Sequence, residues 1–139
     1  MKSFDELRLV IFDFDGTLVD SKYDIAVSVN LTLMDMNLPT RPPEEIFSFV
    51  GDGVKRLLRL SIGEDDEAQY EKSLAIFREH YLAHCLDSTK FYKGLDSVFH
   101  FLQSKTKAIA TNKSFEYCLL YTSDAADDTP CVDLGGRRI

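Results

Sequence analysis

The chain has 139 residues, 45% hydrophobic and 28% charged, and its 16 Lys and Arg against 23 Asp and Glu leave a net charge of −7. That is the composition of one globular domain or part of a larger one, since domains usually run to about 100–200 residues, and its acidity excludes the clustered positive charge with which a nucleic-acid binder neutralises phosphates. No window approaches the roughly 20 apolar residues of a membrane span, and the opening MKSFDELR has acids where a secretory leader would be basic and then apolar, so a cytoplasmic protein with no membrane partner is expected.

Leu7–Phe12 is a short run rich in β-formers that stops at Asp13-Phe14-Asp15-Gly16-Thr17. Its nearly continuous apolarity predicts a strand buried on both faces, as in a parallel sheet flanked by helices. The two carboxylates then fall at its C-terminal end, the edge where open α/β sheets bind ligands. Ser21 and Asp24 have the spacing of a capping box, and Ala26, Val29, Leu33 and Met36 follow at helical spacing until Pro39, Pro42 and Pro43 break the helix. After Gly51-Asp52-Gly53, a second stripe runs through Val54, Leu57, Leu58 and Ser61 and ends near Gly63. Tyr70, Leu74, Phe77, Tyr81 and Cys85 form a third, on a long helix starting in the acidic run Glu64-Asp65-Asp66-Glu67, whose charge suits a solvated helix N-terminus better than a metal site. Beyond Lys93-Gly94, Leu95, Val98, Phe99 and Leu102 predict one more helix, and Lys107–Thr111 a second strand ending at Thr111-Asn112-Lys113. The class is α/β.

The pattern stops after Tyr117. Cys118–Ile139 shows no helical or alternating run beyond Cys118–Tyr121 and ends in Gly135-Gly136-Arg137-Arg138, which reads as a disordered tail. A sharper reading takes it as translated adapter: Cys118–Asp128 and Cys131–Ile139 each resemble the translation of a piece of a transposon-type sequencing adapter, separated by a gap of index length. On that reading 118–139 is non-native and poorly packed, native sequence ends at Glu116 or Tyr117, and Cys85 is the one native cysteine, a small buried hydrophobe. Cys85, Cys118 and Cys131 have neither metal nor redox spacing.

Asp13-x-Asp15-Gly16-Thr17 carries the chemistry. A carboxylate at a strand end can attack phosphorus, splitting a hard hydrolysis into two steps through an aspartyl-phosphate. A second, two residues on, can protonate the leaving oxygen and later deprotonate water. Such close carboxylates repel, and a hard, oxygen-liganded cation such as Mg²⁺ relieves that repulsion while neutralising phosphate charge.

The residues Phe12–Ser21 (FDFDGTLVDS) resemble the first motif of the haloacid dehalogenase superfamily of phosphohydrolases, and Ile109-Ala110-Thr111-Asn112-Lys113 is similar to its second, a strand ending in a phosphate-binding Thr or Ser. Phe49–Gly53 with Leu57-Leu58, and Phe91–Leu95, look like the cap and cap-to-core return of phosphoglycolate phosphatase-like members, so the resemblance covers residues 7–116. It implies a Rossmann-like parallel-sheet core, here incomplete, from residues 1–17 and 88–117, with an inserted α-helical cap at 18–87. It implies Asp13 as nucleophile and Mg²⁺ ligand, Asp15 as general acid and base whose backbone carbonyl also binds the metal, and Thr111 hydrogen-bonded to phosphate with Asn112 beside it. The family's third-motif Lys and fourth-motif acids have no counterpart in the tail, so this chain is expected to be inactive as it stands. Asp127-Asp128 lacks the apolar strand that should precede the fourth motif.

Lys113 is read as an ordinary solvated lysine, with a place near the phosphate as the lesser alternative. Lys55 and Arg56 are weak substrate-anion candidates beside a solvated-face reading. His80 and His84, four apart, have no third ligand at metal spacing and read, with His100, as helix surface. The expected function is Mg²⁺-dependent hydrolysis of a small phosphorylated metabolite such as phosphoglycolate. A sugar-phosphate mutase is the alternative, and a non-catalytic interaction protein the alternative outside enzymes. A dehalogenase is disfavoured, because a halide leaving group needs no acid such as Asp15.

Overall fold

The computed structural model describes residues 4–63, 66–114, 117 and the backbone of 131–133. The chain forms two compact units, residues 1–19 with 91–139, and residues 20–90. It passes between them at two short strands that pair with each other, β2 (Val19–Asp20) and β3 (Lys90–Phe91).

In the first unit, β1 (Leu9–Phe12), β4 (Thr106–Thr111) and β5 (Cys131–Asp133) make a parallel sheet in the order β1-β4-β5. Phe12 pairs with Ile109, and Thr111 with Asp133. The helix α5 (Leu95–Phe101) connects back into β4. Its Phe99 meets Phe12 edge to face at 5.7 Å between ring centroids, beside a core of Phe14, Leu18, Val19 and Ile109. Two expectations are corrected here. β1 is not buried on both faces: Leu9 and Ile11 are 45% and 59% exposed. Alternate residues of a strand face opposite ways, and α5 covers the side carrying Phe12. Nor is Cys118–Ile139 without regular structure, since Cys131–Asp133 extends the sheet; three residues around one β-branched Val132 are too few for a periodicity to register.

The second unit holds α1 (Lys22–Asp35), α2 (Pro43–Phe47), α3 (Val54–Ile62) and α4 (Glu67–His84). Val29, Leu33, Ile46 and Leu58 are all but fully buried in it, each contributing about 1.5–3 kcal/mol of transfer free energy. The prolines do not break α1: it ends at Asp35, ahead of Pro39, with Asn37 in the left-handed region at φ 57°. Pro43 instead opens α2, because its missing N–H is among those a helix start leaves unbonded. Arg41 ties the connection down: its N–H donates to Asn30 Oδ1, its carbonyl accepts from Asn30 Nδ2, both at 2.9 Å, and its Nε donates to the Ser61 carbonyl. Gly63 ends α3 with φ +76°, its N–H bonded to the Arg59 carbonyl. Asp66 caps α4 by accepting the Gln69 N–H at 3.0 Å; Glu64 and Asp65 lie outside the described residues. Cys85 is buried at the end of α4.

The capping box expected at Ser21 and Asp24 does not form. Ser21 makes no side-chain cap, and the Asp24 carboxylate accepts instead from the Ser88 N–H, the Thr89 N–H and the Thr89 hydroxyl at 2.7–3.0 Å. Asp24 is only 2% exposed, and a buried carboxylate needs several strong donors, more than one helix-end N–H supplies. No described helix is long and apolar enough to cross a membrane.

Candidate active site

Asp13 and Asp15 occupy the turn that leaves β1. Phe14 between them is 2% exposed and seated in the core, so Asp13 is left exposed and Asp15 half-buried. The turn closes on the Phe14 carbonyl, which accepts the N–H groups of Thr17, Leu18 and Val19 at 2.9–3.2 Å, while the Gly16 N–H donates to the Val19 carbonyl at 2.8 Å. Gly16 has φ +81°, a conformation that a side chain disfavours. The Phe14 N–H donates to Asp13 Oδ1 at 2.8 Å and steadies that carboxylate.

Thr111 ends β4 at the same edge. With Phe12 and Ile109 in register, Asp13 lies one residue and Thr111 two residues past a shared rung of neighbouring strands, which run about 4.8 Å apart. Thr111 is buried, and its hydroxyl oxygen accepts the Lys113 N–H at 3.1 Å; a hydroxyl used as acceptor keeps its own proton to donate. Asn112 between them is exposed.

Lys113 is not the solvated lysine expected. It is 9% exposed, its Nζ donates to Asp15 Oδ1 at 3.0 Å and Oδ2 at 3.3 Å, and it lies 5.8 Å from the Phe14 ring centroid. The turn held by Thr111 folds Lys113 back over the strand ends, where a carboxylate offsets the penalty of burying an ammonium. Asp13, Asp15, Thr111, Asn112 and Lys113 are thus brought to one edge of one unit. The Lys113–Asp15 pairing escapes sequence reading because the residues are 98 positions apart; the spacing of Lys113 two residues beyond a strand-ending Thr is the signal that pointed toward it.

Lys55 and Arg56 stand on α3 in the helical unit and are engaged locally. Lys55 Nζ lies 3.4 Å from Glu67 Oε1 and 5.1 Å from the Tyr70 ring centroid, and Arg56 Nε lies 3.0 Å from Asp52 Oδ2. Both are exposed, and such pairs contribute little. Burial pushes the Tyr70 phenol above its usual range, with Lys55 pulling the other way. His80 and His84 take separate carboxylates, Asp35 and Asp87, each at 2.8 Å. Among the described residues no group of three or more His, Cys, Asp or Glu is placed to hold a metal. The exposed Asp13 carboxylate and the Asp15 backbone are hard oxygen donors at one turn, which suits two positions around a cation of the Mg²⁺ type.

The model of the haloacid dehalogenase-like hydrolase family matches residues 10–119. The chain is 33% identical over 109 residues to a phosphoglycolate phosphatase of Aquifex aeolicus, covering 77% of this chain and 50% of that protein. It is 35% identical over 127 residues to a phosphoglycolate phosphatase of Pseudomonas syringae pv. tomato, covering 81% and 46%. The chain therefore spans about half the length of these curated relatives. Among solved structures it is similar in fold to a hydrolase from Pseudomonas syringae, with TM-score 0.77, 20% identity, and 96% of this chain and 64% of that one covered. It is also similar to a haloacid dehalogenase-like family hydrolase from Streptococcus pneumoniae, with TM-score 0.75, 20% identity, and 87% and 57% covered. The matched residues run from β1 through both strand ends that carry the site, and the chain belongs to the haloacid dehalogenase-like hydrolase family.

Proposed function

We propose that this protein serves hydrolysis of a small phosphate monoester, phosphoglycolate in the first place, with Asp13 as nucleophile and Asp15 as general acid and base. One observation carries the reading: two carboxylates two residues apart leave β1 beside the hydroxyl of Thr111 at the end of parallel β4.

In the first step an Asp13 oxygen bonds to phosphorus as the ester P–O bond breaks, and a proton on the Asp15 carboxyl passes to the departing oxygen, giving the free alcohol and an aspartyl-phosphate. In the second, water attacks phosphorus, the Asp15 carboxylate takes its proton, and the bond to Asp13 breaks to release phosphate. Thr111 donates its hydroxyl proton to a phosphate oxygen, and Asn112 lies beside it. The Asp13 carboxylate and the Asp15 backbone carbonyl would hold a Mg²⁺ ion, whose positive charge would offset the phosphate and the paired acids.

Incubation of the protein extended to supply the third-motif Lys and the fourth-motif acids, with phosphoglycolate or β-glucose 1-phosphate and with Mg²⁺ or a chelator, tests this; the 139-residue chain alone is expected to release no phosphate. Mg²⁺-dependent release of inorganic phosphate from phosphoglycolate supports the reading. Isomerisation of the sugar phosphate without net phosphate release turns it toward a mutase, and no turnover of any monoester by the extended protein overturns it.

A further inference from the structure

We propose that Lys113 is a positioning residue for Asp15: it fixes the direction of the carboxylate that exchanges the proton with the leaving-group oxygen. The inference rests on the phosphatase reading above and goes beyond it, because that reading assigns proton transfer to Asp15 without saying what aims it.

An aspartate carboxyl turns readily about its last torsion, and Asp15 is half-buried at a turn that Gly16 makes tight. Lys113 restrains it from the other strand end, with Nζ in reach of both oxygens at 3.0 and 3.3 Å. The ammonium is itself held. Its side chain is 5% exposed, it passes by the Phe14 ring, and its backbone N–H is fixed on Thr111 Oγ1 at 3.1 Å. Thr111 sits in a strand hydrogen-bonded to the one that leads into Asp13 and Asp15. A closed chain of contacts, β1 to Asp15 to Lys113 to Thr111 to β4 and back through the ladder, fixes the proton-transfer group relative to the phosphate-binding hydroxyl. A general acid works only within hydrogen-bond reach of its target, so aim is worth rate here.

Leaving-group chemistry provides the test. An alkyl phosphate expels a poor leaving group that needs the proton in the first step, whereas 2,4-dinitrophenyl phosphate expels a stable anion that does not. The ratio of kcat/KM for an alkyl ester to kcat/KM for the aryl ester therefore reads proton donation to the leaving group, apart from phosphate binding, which both esters share. In the protein extended to supply the third-motif Lys and the fourth-motif acids, Lys113→Met should lower that ratio by about 10²-fold, the lower end of what general acid catalysis contributes. Lys113→Arg should recover part of it. In an Asp15→Asn background, where no acid remains to be aimed, Lys113→Met should change the ratio by less than about twofold. Should the Met variant fail to fold, as judged by its urea transition, Lys113→Gln carries the same measurement with one donor retained. A parallel fall for both esters, or an undiminished effect in the Asp15→Asn background, places Lys113 on the phosphate or in the fold and overturns the inference while leaving the phosphatase reading standing. An unsubstituted extended protein that cleaves neither ester overturns that reading first, and this inference with it.

Discussion

Asp24 and Thr89 stand 65 positions apart in the chain, and both the N–H and the hydroxyl of Thr89 donate to Asp24 Oδ2 at 2.7 Å. The Ser88 N–H reaches both oxygens of the same carboxylate. The first turn of α1 is thereby fastened to the segment that leads out of the helical unit, inside that unit's interior. Asp24→Ala removes a buried carboxylate that takes three donors, two from half-buried Thr89 and one from exposed Ser88, so a loss of about 3 kcal/mol is expected. Asp24→Asn keeps one acceptor but turns an NH₂ toward the donors, and should cost about 1–3 kcal/mol. Urea denaturation measures both, and a loss under about 1 kcal/mol for the alanine variant would show that the carboxylate is not the fastening.

Gly16 separates a steric effect from a backbone effect. A Cβ placed there meets nothing within 4 Å, yet φ is +81°, so Gly16→Ala suffers only the left-handed conformation, at about 1–2 kcal/mol. Thermal unfolding should show a lowered midpoint with the aspartates unchanged in place. An unshifted midpoint would mean that the turn relaxes to another conformation at no cost.

The elements with long apolar periodicity were legible in the sequence, because burial on one face imposes the spacing: Ala26, Val29 and Leu33 are buried on α1, and Leu57, Leu58 and Ser61 on α3. The strand-end placement of Asp13, Asp15 and Thr111 was legible for the same reason, apolar runs ending in polar turns. What depends on a distant partner was not. Ser21 and Asp24 have capping-box spacing, but the Thr89 and Ser88 donors outcompete the helix end for the carboxylate. Lys113 has the composition of a surface residue, and only the return of the chain beside β1 gives its charge a buried partner. β5 is too short to carry a pattern of its own and owes its strand form to the pairing with β4.

Tyr70 is 6% exposed, and burial raises its phenol above the usual value of about 10. The neutral, protonated form is the one the fold accommodates, so this group's contribution is fully present below the unfolded-state value and is lost as pH rises through the raised folded-state value. Tyr70→Phe keeps the ring that Lys55 and Arg59 face at 5.1 and 5.5 Å and removes the titration. Near pH 7 the two proteins should differ by about 1 kcal/mol or less. Above about pH 10 the tyrosine form should lose stability faster. Urea midpoints taken from pH 7 to pH 11 decide this, and parallel declines would remove Tyr70 as a cause.

Asp13→Asn tests the nucleophile assignment most directly. Asp13 is exposed and its Oδ1 accepts only the adjacent Phe14 N–H among its described contacts, so an isosteric amide, which keeps one carbonyl oxygen, should change stability by no more than about 0.5 kcal/mol. The amide cannot form the acyl-phosphate that divides the reaction into two steps. In the extended protein, turnover of phosphoglycolate with Mg²⁺ should fall to under about one thousandth, on the scale seen when a covalent nucleophile is removed from a hydrolase. The same substitution should abolish labelling of the protein by hydroxylamine after it is quenched during turnover, because hydroxylamine traps an acyl-phosphate as the hydroxamate. Loss of turnover with labelling retained would move the nucleophile to another carboxylate, with Asp15 next in line at the same strand end. Near-native turnover in a purified Asp13→Asn protein would remove Asp13 from the covalent step altogether.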